Sequence, residues 1–259
     1  MKIVVFDLDE TLGYFVELGI FWDCLNNNVE DELTQYDFND ILDLYPEFLR
    51  PNIIHILNYL KHKKQSKCCN KMMIYTNNQR SKKWVNQIVS YFESKINYNI
   101  FDQIIAAFKI NGKKIEVCRT THDKTHSDLV KCTKIPSNSE ICFLDDNFFS
   151  GMSNDNVYYI NIKPYVHNLK FNDMIERFIN SKIGKDLINE NETDKFTSMM
   201  TQDFKVYNLN FVNKNEDEYD IDKILGKQIM THLQFFFNKS IKNKTKKHHI
   251  NKKNKTKKN

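Results

Sequence analysis

The stretch Met1-Lys-Ile-Val-Val-Phe6-Asp7-Leu-Asp9-Glu-Thr11-Leu12 decides how this chain is read. Ile3 to Phe6 is a continuous apolar run rich in β-branched residues, as expected of a strand buried on both faces of a parallel sheet. The run stops at Asp7, and a second carboxylate follows at Asp9. Ligands of open α/β sheets bind beyond the carboxyl ends of the strands. The two acids therefore sit where such a fold keeps its active site. The competing reading is a strand followed by a solvated acidic turn.

Outward from this strand, further elements follow in order. Pro51 precedes an apolar repeat at Ile53, Ile56, Leu57 and Leu60, which predicts a helix over 52–63. Lys71–Tyr75 reads as a second apolar strand ending at Thr76-Asn77-Asn78, followed by a helix over 81–92. A third strand is expected over 101–108, with a tight turn at Asn111-Gly112 and a returning strand over 114–118. A short helix over 126–132, strands over 140–144 and 157–162, and helices over 171–179 and 221–237 complete the pattern. This alternation predicts an α/β fold built on a mostly parallel sheet flanked by helices. Residues 13–49 form an insertion after the first strand, too short for a large cap. Its aromatics Tyr14, Phe15, Phe21 and Trp22 either line an entry groove or pack onto the core. The stretch between 181 and 221 is polar and weakly patterned.

The expected organisation is a main domain over 1–180, a C-terminal extension over 181–238 carrying a helix, and a tail over 239–259. The chain has 259 residues, 41% of them hydrophobic, enough for a core. Its net charge of +5 comes from the tail, which holds ten lysines and no acid. The rest of the chain is mildly acidic. Such a tail buries nothing and is expected to be disordered. A nuclear-localisation signal, an arm for nucleic acid or another polyanion, and a solubilising extension all fit it. No apolar run reaches the roughly 18 residues that span a bilayer. The first residues do not resemble a secretory signal, so a cytoplasmic or nuclear location and no membrane association are expected. The six cysteines (Cys24, Cys68, Cys69, Cys118, Cys132, Cys142) lack metal-binding spacing and are expected to be reduced thiols, several of them in the core.

Four features recur at strand ends or helix starts: Asp7-x-Asp9-x-Thr11, Thr76, Lys124 and Asp145-Asp146. Each has a plain structural reading, as turn former, helix cap, solvated lysine or loop. Together they supply what hydrolysis of a phosphate monoester requires. A carboxylate can be the nucleophile. Clustered carboxylates need a cation between them, and oxygen ligands beside phosphate favour Mg²⁺. A hydroxyl and an ammonium bind the phosphoryl oxygens, and a second carboxylate moves the proton.

These residues carry a family resemblance. Phe6-Asp-Leu-Asp-Glu-Thr-Leu12 resembles the first signature of the haloacid dehalogenase superfamily of phosphatases. Ile74-Tyr-Thr-Asn77 resembles the second, Lys124 the third and Phe143-Leu-Asp-Asp146 the fourth, in family order over roughly residues 1–165. Leu49-Arg-Pro51 ahead of a helix is similar to the branch of RNA polymerase C-terminal-domain phosphatases and their small relatives, which lacks a large cap. The resemblance implies Asp7 as nucleophile and Asp9 as general acid and then base, with its backbone carbonyl on the metal. It implies Thr76 and Lys124 as phosphate ligands, and Asp145 and Asp146 as Mg²⁺ holders. Asp146 is the more direct of the two. The metal set is thus Asp7, Asp9, Asp145 and Asp146. Thr11 orders the turn, Arg119 is a candidate assistant, and Lys131 is the alternative to Lys124. Ser127-Asp-Leu129 stands where that branch has Lys-Asp-Leu, and Asn147-Phe-Phe149 where it has Ser-Pro. These departures keep the substrate class open: a phosphoprotein or other macromolecule leads, with a small metabolite or a nucleic-acid 3′-phosphate as alternatives. A non-catalytic binding protein on the same fold is the competing class.

Overall fold

The computed structural model describes residues 1–207 and 214–238. Its centre is one five-stranded sheet of β1 (Lys2–Phe6), β2 (Lys71–Tyr75), β3 (Gln103–Ile105), β6 (Glu140–Asp145) and β7 (Val157–Asn161), in the order β3-β2-β1-β6-β7. All neighbours are parallel. A separate two-stranded hairpin, β4 (Lys109–Ile110) and β5 (Lys113–Lys114), turns at Asn111-Gly112. Both turn residues have positive φ, 48° and 77°, as the tight turn expected there demands.

Alternation along β1 divides the core. Val4 and Phe6 join the larger apolar cluster, and Ile3 and Val5 the smaller one. The larger face is covered by α1 (Val16–Asn28), α2 (Gln35–Leu44), α3 (Ile53–Gln65), α4 (Lys82–Ile96), α6 (Phe171–Asn180), α8 (Thr193–Lys205) and α9 (Glu216–Asn238), with the short α7 (Lys182–Leu187) beside them. The smaller face carries α5 (His126–Thr133) through Leu129, together with Ile135 and Met152. Burial on both faces explains why the inner strands are unbroken apolar runs.

Several expectations change. The third strand pairs only over Gln103–Ile105, because the Ala106 carbonyl is taken by Arg119 instead of the sheet. The returning strand is Lys113–Lys114, not 114–118. The polar stretch after 181 contains α7 and α8; Phe196, Met200 and Phe204 lie one turn apart along α8 and are buried. The helix expected over 221–237 begins at Glu216. In the insertion, Phe15, Phe21 and Trp22 are core residues and Tyr14 is half-buried. Phe21 meets Tyr45, Phe178 and Phe204 at centroid distances of 5.4, 5.7 and 6.0 Å. Two of the six cysteines are not thiols: Cys118 and Cys132 form a disulfide, their Cα atoms 5.1 Å apart. The fold brings the start of the 119–125 loop back onto α5, a proximity that their separation of 14 residues does not encode. Cys24, Cys69 and Cys142 are buried free cysteines and Cys68 is exposed.

The basic tail over 239–259 lies outside the described residues. Among the described residues no helix is long and apolar enough to cross a membrane.

Candidate active site

The strand order places the site. From β1 the chain goes to β2 and β3 on one side, then crosses to β6 and β7 on the other. The reversal opens a crevice at the carboxyl ends of β1 and β6. Phe6 is in register with Leu144 and with Ile74, so Asp7 and Asp145 leave the sheet side by side and Thr76 emerges on the neighbouring strand. A cleft of about 350 Å³ lies there, lined by Asp7, Asp9, Thr76, Lys124, Asp146 and Phe149, among others.

Lys124 is delivered by the loop before α5, whose N-cap Thr125 accepts a hydrogen bond from the Asp128 amide. Its Nζ lies 2.5 Å from Asp7 Oδ1 and 2.6 Å from Asp145 Oδ2, with the lysine only 2% exposed. Burial pushes the ammonium pKa down, but Asp7 and Asp145 outweigh burial and hold it above its ordinary value. Lys131, the alternative, is exposed in the last turn of α5 and does not line the cleft.

Asp145 is fully buried. Its other oxygen accepts from the Asn147 amide at 2.9 Å, so both oxygens are engaged by the protein. Burial, reinforced by the charge of Asp7, raises its pKa against the pull of Lys124. Asp146 faces the cleft. Its Oδ1 accepts from Thr11 Oγ1 at 3.2 Å and its Oδ2 from Asn147 Nδ2 at 2.8 Å. Thr11 thereby ties the loop after β1 to the loop after β6.

Asp9 Oδ2 accepts from Asn78 Nδ2 at 2.7 Å. Burial and the neighbouring charge of Asp7 push the Asp9 pKa up to about 7. Thr76 Oγ1 accepts from the Asn78 amide at 3.0 Å, which leaves its hydroxyl hydrogen free to donate into the cleft. Arg119 does not line the cleft. It is fully buried and donates to the carbonyls of Thr76, Ala106 and His122 and to Asn77 Oδ1, bracing the Thr76 turn from behind.

The donor chemistry fits a hard divalent cation. Oxygens of Asp7, Asp145 and Asp146 lie within 4.8 Å of one another, and oxygen-only ligands suit Mg²⁺. Burial first, and the neighbouring charge of Asp7 after it, raises the pKa values of Asp9, Asp145 and Asp146. The Asp9 carboxylate is not part of the three-residue group; its side chain is turned to Asn78.

Asn78 and Asn147 were not singled out from the sequence, though each sits two residues beyond a strand-end site residue, Thr76 and Asp145. In the sequence Arg50 stands out only as half of the Arg50-Pro51 pair. It is almost fully buried and donates from Nε to the Thr11 carbonyl at 2.6 Å and from Nη2 to that of Glu10 at 2.5 Å. Glu10 has a positive φ of 57°, an unfavourable conformation for a residue with a side chain, and needs such support. No protein-family model, curated protein or solved structure matches this chain.

Proposed function

We propose that this chain is a Mg²⁺-dependent phosphomonoester hydrolase of the haloacid dehalogenase type, working through an aspartyl-phosphate at Asp7. The observation that carries this reading is the buried Lys124 bridging Asp7 and Asp145, with Asp9, Thr76 and Asp146 facing the same cleft. The four motifs named above, in family order, support the same reading.

In the first half-reaction an Asp7 oxygen attacks phosphorus as the bond to the leaving oxygen breaks, and the Asp9 proton passes to that oxygen. A pKa near 7 keeps a useful fraction of Asp9 protonated at neutral pH, and Asn78 orients the carboxyl. Lys124 and the Thr76 hydroxyl bind phosphoryl oxygens throughout. In the second half-reaction Asp9, now a carboxylate, takes a proton from water. The water oxygen attacks phosphorus, the bond to Asp7 breaks, and inorganic phosphate leaves with the Asp7 carboxylate restored. Asp7, Asp146 and the Asp9 backbone carbonyl would hold Mg²⁺, with Asp145 orienting Lys124 beside them. When bound, the ion neutralises charge on the phosphoryl oxygens.

A phosphoprotein or other macromolecular substrate is favoured over a small metabolite. The helices inserted after β1 commit Phe21, Trp22 and Phe38 to the core, and beside the cleft Phe148 is 65% exposed, stacked on Tyr159. Hydrolysis of p-nitrophenyl phosphate by wild type and Asp7→Asn, with Mg²⁺ and with chelator, tests the activity. Turnover is expected only for wild type with Mg²⁺. Equal turnover by Asp7→Asn would contradict the mechanism, and no turnover by wild type would favour a binding protein.

A further inference from the structure

The segment that delivers Lys124 is closed at its two ends by the Cys118–Cys132 disulfide. From Arg119 to Asp128 it reads Arg-Thr-Thr-His-Asp-Lys-Thr-His-Ser-Asp, without one apolar residue. Arg119, Lys124 and Asp128 are nevertheless buried, at 0%, 2% and 2% exposure. Burying charge is unfavourable unless each group is partnered, and this stretch has no apolar side chain of its own to offset the cost. Its partners are polar. Arg119 braces the Thr76 turn, and Lys124 bridges Asp7 and Asp145. Asp128 accepts from the Thr120 amide at 2.8 Å and from Thr120 Oγ1 at 3.0 Å. One stretch thus sets both groups of the phosphate cradle, Lys124 directly and Thr76 through Arg119.

The two ends of the segment are held differently. Cys132 lies in α5, which Leu129 anchors on the sheet, and its carbonyl accepts from Gln103 Nε2 on β3 at 3.0 Å. The residues ahead of Cys118 are open to solvent: Ile115 is 43% and Val117 74% exposed. The disulfide therefore ties the loose end of the segment to the anchored one. Cys118 and Cys132 are both half-buried, whereas Cys24, Cys69 and Cys142 are enclosed and Cys68 stands alone on the surface. Access is what makes a sulfur available to an attacking thiolate.

We propose that Cys118 and Cys132 form a redox-active site that controls the active-site segment between them: oxidised, the pair holds Lys124 and the Thr76 turn in place, and reduced, it lets the segment open. In the reductive step a thiolate of a dithiol attacks one sulfur, the S–S bond breaks, and the departing cysteine sulfur takes up a proton. The second thiol of the reductant then closes the reductant's own disulfide and releases the other cysteine, so that two electrons and two protons pass to the protein. The consequence for catalysis rests on the phosphatase reading; the consequence for the segment does not. Release of Lys124 weakens the hold on the phosphoryl group in both ground and transition states, so kcat/KM falls.

The test uses the full chain as wild type, Cys132→Ser, Cys118→Ser and, as an exposed control, Cys68→Ser. Each is oxidised with glutathione disulfide, reduced with dithiothreitol, and reoxidised. Alkylation and mass spectrometry locate the free thiols, trypsin cleavage after Arg119 and Lys124 is timed against cleavage after Lys71 in β2, and kcat/KM is measured on p-nitrophenyl phosphate with Mg²⁺. Oxidised wild type is expected to leave Cys118 and Cys132 unlabelled. Dithiothreitol should speed cleavage after Arg119 and Lys124 about tenfold relative to Lys71 and lower kcat/KM about tenfold, and reoxidation should restore both. Cys132→Ser should match reduced wild type and ignore dithiothreitol, and Cys68→Ser should match wild type in each state. Should Cys132→Ser fail to fold, Cys118→Ser and reduced wild type decide. Labelled Cys118 and Cys132 in oxidised wild type, cleavage unchanged or equally faster at Lys71 on reduction, or faster cleavage with unchanged kcat/KM would overturn the proposal. An inactive wild type would remove the phosphatase reading and leave labelling and proteolysis to decide the control of the segment.

Discussion

Lys124 and Asp145 form an ion pair from which water is excluded: Nζ is 2.6 Å from Oδ2, the lysine is 2% exposed and the aspartate fully buried. Removing one partner of such a pair strands the other charge. Lys124→Met should therefore destabilise the protein by about 3–5 kcal/mol at neutral pH, measured by urea unfolding. At pH 5 the deficit should shrink, because Asp145, whose pKa burial already raises, can take up a proton. A deficit independent of pH would contradict this account.

The raised value at Asp9 fixes a sign for pH dependence. Folded Asp9 holds its proton to about pH 7, whereas the unfolded carboxyl releases it near 3.8. Between these values the folded state binds more protons, so this contribution to stability falls as pH rises. The metal-free protein should lose thermal stability from pH 4.5 toward 7.5. Mg²⁺ should raise the melting temperature more at pH 7.5 than at pH 5, where protons compete for the same carboxylates. An equal Mg²⁺ effect at both values would count against the carboxylate cluster as the metal site.

Phe21 joins α1 to α6 and α8 through its contacts with Phe178 and Phe204. Phe21→Ala should cost about 3–5 kcal/mol, with a single unfolding transition. A second transition for the C-terminal helices would show that they fold apart from the sheet.

The Cys118–Cys132 link closes a segment 14 residues apart in sequence. Chain entropy alone gives such a closure about 3 kcal/mol. Cys118→Ser should lower stability by that order without reductant, and reductant should lower wild type to the same level. Reductant leaving wild type unchanged would exclude the link.

What could be read from the sequence followed from local pattern. Ile3–Phe6, Met72–Tyr75 and Ile141–Leu144 are continuous apolar runs because β1, β2 and β6 are covered on both faces. The residues that end them, Asp7, Thr76 and Asp145, were visible for the same reason. α8 has a weak signal because its buried row is only Phe196, Met200 and Phe204, and apart from Met199 the residues between them are polar. Lys124 and Lys131 are equivalent in composition; only the turn into α5 buries one and exposes the other. The roles of Asn78 and Arg50 are made by contacts between distant segments, which no spacing rule encodes.

The most direct measurement of the central claim is the covalent state of Asp7 during turnover. Wild type mixed with p-nitrophenyl phosphate and Mg²⁺, quenched in acid, reduced with borohydride and digested, should yield homoserine at position 7 by mass spectrometry. Asp7→Asn should yield none. Steady release of phosphate with Asp7 unmodified, or with the adduct on another carboxylate, would contradict the account.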